Sequence, residues 1–255
     1  MLKNLSLIAL DGIPLIAPKD SIPLIIKDAV VNNKLSVNDG DIFVIAQKII
    51  SKSENRFVYL NDISPSSEAV SLSLKTQKDP RLVQIILDES IRVVRTRIGV
   101  IVVENKIGLV HANAGIDKSN IDSQDSNPKV LLLPINPDSS AKKIKNDLDK
   151  IYNCSVGVII NDSSGRAWRN GTTGIAIGSS GALTLSDLRG HKDLYGRPLE
   201  ITQIGIGDEI ASAASILMGQ ADEGLPVVLI KGLANLETHQ KANDLIREPN
   251  QDLFR

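Results

Sequence analysis

Gly157-Val-Ile-Ile-Asn-Asp162-Ser-Ser-Gly-Arg166 runs through β-branched residues and gives way, at an aspartate, to small polar ones, the pattern of a strand that stops at a sheet rim. A second stretch, His111-Ala-Asn-Ala-Gly-Ile-Asp117-Lys-Ser-Asn120, has the same form. Hard cations and phosphates are met where carboxylates leave strands, so Asp117 and Asp162 are candidate ligands of an oxygen-bound metal ion. Their distance in sequence means that only folding can unite them.

Outward from these stretches, strands are predicted at 5–10 and 41–47, with the apolar spacing of a short helix at 21–31 between them and a turn at Asp39-Gly40. Ser64-Pro65 and Asp79-Pro80 each read as an N-cap followed by proline at the first helical position, predicting consecutive helices over 66–76 and 81–90. Strands at 99–103 and 107–112 flank Glu104-Asn105-Lys106, a hairpin that delivers Asp117 onto the loop beyond it. The polar stretch 118–129 reads as a long loop, 130–135 as a strand and 140–152 as an amphipathic helix. Strands follow at 156–161, 172–177 and 199–206, then an alanine-rich helix over 208–218 and a strand at 226–230. The class is α+β, a two-lobed chain with mixed and antiparallel sheets. A main domain of 1–235 has a soft boundary near 113–130 or 180, and 236–255 is a peripheral segment.

The 255 residues are 42% hydrophobic, enough for one large core or two modest ones. Lys and Arg total 29 against 30 for Asp and Glu, so no global basic field draws the chain to nucleic acid or an anionic membrane, and any anion must be bound locally. Cys154 is the only cysteine, which rules out an intrachain disulfide, leaves a thiolate zinc site short of ligands and fits a reducing cytoplasm. Asp11 interrupts the first apolar run before it reaches signal-peptide length, and the stretches at 98–103 and 130–135 fall far short of the ~18 residues a spanning helix needs.

No Gly-x-x-x-x-Gly-Lys-Ser/Thr motif is present, and Gly205-Ile-Gly207 lacks the third glycine of a dinucleotide fingerprint. Glycines 165, 171, 174, 178 and 181 cluster beside Arg166 and Arg169; they suit either close approach to phosphate or the turns of a β-meander, the commoner outcome. Ser163 and Gln220 supply further oxygen donors that can complete a Mg²⁺ or Mn²⁺ site with Asp117 and Asp162, against the blander reading of turn-capping aspartates. Lys52, just past a strand end, is a candidate phosphate partner or a solvated lysine. His111, in an alternating apolar strand, reads as a packed residue rather than a base, and Trp168 as a stacking platform or a core anchor.

Taken together the segments resemble the coenzyme F420-0:γ-glutamyl ligase family. The resemblance runs through Gly12-Ile-Pro-Leu-Ile16, Asp39-Gly-Asp-Ile-Phe-Val-Ile-Ala-Gln-Lys-Ile-Ile-Ser-Lys52, Asn113-Ala-Gly-Ile-Asp117 and Ile160-Asn-Asp-Ser-Ser-Gly-Arg166. It continues through Arg169-Asn-Gly171, Ala176-Ile-Gly-Ser-Ser-Gly181, Lys192-Asp-Leu-Tyr-Gly-Arg197, Asp208-Glu-Ile-Ala-Ser-Ala-Ala214, Met218-Gly-Gln220 and Pro226-Val-Val228, covering roughly 10–233 in the family's order.

The resemblance implies a cytoplasmic, intertwined homodimer that uses GTP to join L-glutamate through its α-amine to the phospholactate carboxylate of F420-0, then extends the tail by γ-linkage. It places Ile13, Pro14, Leu15, Ile16, Gln47, Lys48, Lys52 and Asn120 around GTP, with a second nucleotide loop of Met218, Gly219, Gln220, Ala221, Asp222, Glu223, Gly224 and Leu225. Asp117 and Asp162 would hold a first Mg²⁺ or Mn²⁺, Ser163 and Gln220 a second, with K⁺ as a further cation; Asp117, Asp162 and Lys52 would be the catalytic set. A carboxylate is a poor acyl donor, so the γ-phosphate must first be transferred to it, giving an acyl phosphate that the amine attacks while water is kept out. The competing readings are a metal-dependent phosphohydrolase using the same aspartates and a non-catalytic dimeric module for a phosphate ligand.

Overall fold

The computed structural model describes residues 4–233 and 238–253. In chain order its strands and helices are β1 (Ser6–Ala9), α1 (Ile22–Asn32), β2 (Ile42–Ala46), α2 (Gln47–Ser53), β3 (Phe57–Tyr59), α3 (Ser67–Thr76), α4 (Pro80–Asp88), β4 (Ser90–Arg97), β5 (Val100–Asn105) and β6 (Val110–Ala112). There follow β7 (Lys129–Leu131), α5 (Pro137–Tyr152), β8 (Gly157–Arg166), β9 (Arg169–Ser180), β10 (Ser186–Asp187), β11 (Gln203–Ile204), α6 (Ile206–Met218) and β12 (Val227–Lys231). The fold is mixed α and β, as the sequence implied.

A five-stranded sheet in the order β1-β12-β2-β8-β9 forms the main body, antiparallel except where β2 pairs in parallel with β8. Its central strands are apolar at nearly every position because both faces are covered. Phe43, Ile45, Val158, Ile160, Val227 and Leu229 pack against α1 and α5, whereas Ile42, Val44, Ile159, Val228 and Ile230 face α6. The alternation is the period-2 geometry of a strand read twice, once for each layer.

Between α2 and α5 the chain builds a second body with its own core. Leu82, Val83, Ile85 and Ile86 of α4 pack with Ala69 of α3, Ile101 and Val103 of β5, and Val130 of β7. An antiparallel sheet β4-β5-β6 and a β3-β7 pair complete it. A third, two-stranded pair, β10-β11, carries a projecting loop on which Leu194, Tyr195 and Ile201 are exposed.

Several local expectations are corrected. Helix α3 is capped by Ser66, whose Oγ accepts from the Ala69 amide at 3.2 Å, so Pro65 precedes the cap and Ser64 is not part of it. Asp79 does cap α4, with Pro80 first in the helix. That helix ends at Asp88, and 90–97 is a strand whose β-branched residues pair with β5. Residues 47–53 are a helix that follows β2 without a break, so Lys52 is helical. The strand expected at 199–206 shrinks to β11, because Ile206 already begins α6. The one at 130–135 shrinks to β7, and the second hairpin strand of 107–112 to β6.

Asp162 does not sit at a strand end: β8 runs on to Arg166, since Ser163, Ser164 and Gly165 pair with Gly174, Thr173 and Thr172 in a long hairpin instead of turning. Trp168 lies in the tight turn at that hairpin's tip, with φ of 63° and 95% exposure, and anchors no apolar core among the described residues. Leu236, where the peripheral segment was expected to begin, lies outside the described residues. Within 238–253, Gln240 accepts from the amides of Thr184 and Leu185 at 2.9 and 3.0 Å, and Ala242 is buried beside α6.

The contact of α6 with β9 depends on Gly174, where an added Cβ would fall 2.5 Å from the Ala211 carbonyl oxygen and 2.6 Å from Asn161 Oδ1. Gly174→Ala therefore forces α6 off the sheet and is expected to cost roughly 1–3 kcal/mol, read as a lower urea midpoint.

Candidate active site

The parallel register of β2 and β8 puts Ala46 opposite Asn161, so the first residue of α2 and Asp162 emerge side by side at the same edge of the sheet. One residue earlier the β8-β9 register shifts, from Ile160 opposite Gly178 to Asn161 opposite Ala176, a bulge of the kind that re-aims a side chain. Asp117 arrives from the second body. Its backbone exchanges two hydrogen bonds with Leu131, at 2.9 and 3.0 Å, which hold the 113–120 segment against β7.

Asp117 is then held by α2. Gln47 Nε2 donates to Asp117 Oδ2 at 2.6 Å, and Gln47 Oε1 accepts from Ser51 Oγ at 2.8 Å, so both ends of this buried amide are occupied. Lys48 Nζ lies 3.3 Å from Asp117 Oδ1 and donates to the Ser119 carbonyl and hydroxyl at 3.2 and 3.1 Å. A glutamine and a lysine at successive positions of one helical turn thereby grip both carboxylate oxygens.

The electrostatics are those of a crowded carboxylate pair. Burial, followed by the nearby charge of Asp117, pushes the Asp162 carboxyl up to about 7. Burial also raises Asp117, opposed by Lys48, the Gln47 hydrogen bond and Lys52. His111 is buried with Nδ1 3.8 Å from Asp162 Oδ2; burial lowers its pKa to about 4, so the imidazole facing the carboxylate is neutral. The packed role read from the sequence for His111 matches.

Two further ammonium groups extend from Lys48: Lys52, close enough to act on Asp117, and Lys129, close enough to act on Lys52. Lys52 is half-buried and, among the described residues, has no ion-pair partner; burial and then Lys48 lower its pKa, with Lys129 adding to the effect and Asp117 opposing it. Lys129 Nζ sits 4.8 Å above the Phe57 ring and 5.8 Å from that of Tyr59. Lys129 escaped the sequence reading, although a lone charge heading an apolar strand was the available signal.

The two loops expected to contact nucleotide meet: Asn120 Nδ2 donates to the Ala221 carbonyl at 2.9 Å. Within the second loop the Glu223 carboxylate accepts from the Ala221 amide at 2.8 Å, and backbone donors of this kind hold its pKa below the ordinary value. Met218 is buried at the end of α6, its Sδ accepting from Asn161 Nδ2 at 3.3 Å. Gly219 turns the chain out of α6 with φ of 68°, and Gln220, Ala221, Asp222 and Gly224 are exposed, with Leu225 half-buried. In the first segment Ile13 and Ile16 pack on the α1 side of the sheet, while Pro14 and Leu15 point outward.

Not every expected ligand reaches the pair. Ser163 is exposed on the strand residue after Asp162, with its amide donating to Asp162 Oδ1 at 2.8 Å. No hydrogen bond joins Gln220 to either aspartate among the described residues. Among those residues there is also no group of three or more His, Cys, Asp and Glu placed to hold a metal ion, and no helix long and apolar enough to cross a membrane.

The geometry therefore offers two carboxylates that feel each other's charge, with Lys48 and Lys52 beside Asp117 and Lys129 beyond Lys52, a surface complementary to a cation-bound polyphosphate. The family model for F420-0:gamma-glutamyl ligase matches residues 12–232. A coenzyme F420:L-glutamate ligase of Methanocaldococcus jannaschii is 48% identical over 219 residues, 86% of each chain. Proteins of the same name from Methanothermobacter thermautotrophicus and Archaeoglobus fulgidus are 42% identical over 254 residues (99% of each chain) and 36% identical over 245 residues (96% of this chain, 94% of the relative).

The raised Asp162 carboxyl has a measurable consequence. Its folded-state pKa of about 7 exceeds the ordinary value of 3.8, so in chelator-treated protein this group's stabilising contribution is fully present below about pH 4 and is lost as pH rises through 7. Asp162→Asn is expected to flatten that part of the stability-versus-pH curve, measured by urea midpoints at pH 5 to 8.

Proposed function

Because the chain belongs to the F420-0:gamma-glutamyl ligase family, we propose that it joins L-glutamate to coenzyme F420-0 at the expense of GTP, through an acyl phosphate. The observation that carries this reading is the meeting of Asp117, gripped by Gln47 and Lys48, with the largely buried Asp162, where Lys52 lies near Asp117 and Lys129 near Lys52. Two carboxylates that burial makes reluctant to ionise, Asp162 also through the charge of Asp117, are suited to a divalent cation, and their all-oxygen chemistry fits Mg²⁺ or Mn²⁺.

In this proposal Asp117 and Asp162 hold one divalent ion, and Ser163 and Gln220 a second. When bound, such ions supply charge neutralisation for triphosphate and carboxylate. Lys48, Lys52 and Lys129 offset the remaining phosphate charge and orient the γ-phosphoryl group toward the F420-0 carboxylate. Phosphoryl transfer forms the acyl phosphate and releases GDP. The glutamate amine then attacks the carbonyl, inorganic phosphate leaves, and the amine gives up a proton as the amide forms. The loops joined by Asn120 and Ala221 would close over the nucleotide, and Lys48 would keep the 117–119 segment in place during turnover. A γ-linked extension follows if the product tail re-enters as acceptor.

The homodimer belongs to the same proposal. Trp168 at the tip of the β8-β9 hairpin, and Leu194, Tyr195 and Ile201 on the β10-β11 projection, are large apolar side chains left in solvent. Exposed apolar side chains on two projecting arms favour a second copy as their cover, and a crossing arm would also keep water from the acyl phosphate.

Mass spectrometry of F420-0 incubated with the protein, GTP, Mn²⁺ and glutamate tests the reading by a glutamyl mass increment. Glutamate-independent GTP hydrolysis alone would replace it with a phosphohydrolase. Asp117→Asn and Asp162→Asn should each nearly abolish ligation in folded protein, with the double variant little worse than either because they act as a unit. Lys52→Ala is expected to raise the KM for GTP by about tenfold or more while sparing that for glutamate, as loss of a charge-assisted phosphate contact requires. Trp168→Asp should shift sedimentation toward the monomer.

A further inference from the structure

A cleft of about 240 Å³, distinct from the residues assigned so far, is lined by Arg56, Glu89, Asn105, Lys106, Ala114 and Leu133 among others. One of its lining side chains carries an unsatisfied donor. Asn105 is 2% exposed, and its Oδ1 accepts from the Ile107 and Leu109 amides at 3.2 and 3.0 Å, which fixes the orientation of the amide. Its Nδ2 is buried without a partner. A buried N–H group left unpaired is costly and calls for an acceptor.

The charges around that donor are unequal. Arg56 is held by its Nε, which donates to the Leu133 carbonyl at 2.8 Å, and its guanidinium meets Glu89 at 3.1 Å. Lys106 Nζ lies 3.8 Å from the same Glu89 carboxylate, with its side chain 60% exposed. Two cations share one carboxylate, leaving a surplus of about one positive charge in the same cleft lining as a free amide donor. One monoanionic carboxylate satisfies both, and the volume suits a single amino acid rather than a nucleotide.

The cleft is also continuous in sequence with the site described above. Arg56 follows Lys52 by four residues, Ala114 precedes Asp117 by three, and Leu133 follows Lys129 by four. Leu133 and His111 both crowd the Cβ position of Gly115, at 2.7 and 3.1 Å, and His111 faces Asp162. We propose that this cleft is a carboxylate subsite for the amino-acid end of the reaction, in which Asn105 Nδ2 and Lys106 Nζ bind the α-carboxylate of a glutamyl group. The inference rests on the ligase reading. The glutamyl group has two sources: free L-glutamate awaiting ligation, or the terminal residue of a tail already made.

Calorimetric titration of the full chain with L-glutamate and, separately, with γ-L-glutamyl-L-glutamate tests this and separates the sources. Two variants carry the assignment. Asn105→Asp keeps an acceptor for the two turn amides but replaces the free donor with a negative oxygen, and Lys106→Met removes a charge from a largely exposed side chain. Saturable binding of at least one titrant, weakened about tenfold or more in both variants, is expected, with GTP affinity of the same samples as the control for fold. Binding of neither titrant at millimolar concentration, or equal affinity in wild type and both variants, would overturn the subsite. Ligation measured in parallel keeps the two readings apart. Turnover by the wild type with unweakened binding in the variants sinks only the subsite, whereas weakened binding without any wild-type turnover sinks only the ligase.

Discussion

The parallel pairing of β2 with β8 is the constraint on which the rest of the molecule depends. Strands that run side by side in the same direction cannot be joined by a turn; the chain must travel back over the sheet. Here that return, residues 47–156, is long enough to contain α2, the entire second body and α5. The pairing register then fixes where the two ends of the excursion meet. Ala46 opposite Asn161 brings the start of α2 against Asp162, and the second body, tethered at both ends, has only to fold back for Asp117 to reach Gln47. The site is thus a product of topology before it is a product of side chains.

That topology carries an electrostatic cost which the local chemistry only partly offsets. Asp117 receives a neutral donor and a cation, whereas Asp162 receives one backbone amide and a neutral histidine. The less supported carboxylate is the one whose pKa rises furthest. Lysines lie nearby, but Lys52 itself loses proton affinity to burial and to Lys48. A site assembled in this way favours an added ligand of mixed charge over either a bare anion or a bare cation.

Much of this was legible from residue order. The apolar runs of β1, β2, β8 and β12, the proline-marked start of α4 and the periodicity of α1, α5 and α6 all declare themselves locally. What failed did so for physical reasons. Ser163-Ser-Gly165 has turn composition, yet the antiparallel partner Thr172-Thr-Gly174 supplies ladder bonds that override it. Strand β4 is charged and exposed over most of its length, so no hydrophobic alternation announces it. The pairing of Asp117 with Asp162 was inferred from residue type, but the grip of Gln47 and Lys48 on Asp117 spans some seventy positions and leaves no local trace. The Asn105 cleft is invisible for the same reason, since an unpaired donor is a property of three dimensions.

Trp168 is the only tryptophan in the chain, and it stands in water at the end of a hairpin whose outer half touches neither apolar core of the main body. Its emission therefore reports on the surroundings of that tip and says little about the packing of the two cores. Denaturation followed by intrinsic fluorescence would register the fate of an arm, and the two main cores could melt almost unseen. The same position makes the native chain its own optical sensor of the association proposed above, with no label to attach and no second tryptophan to compete.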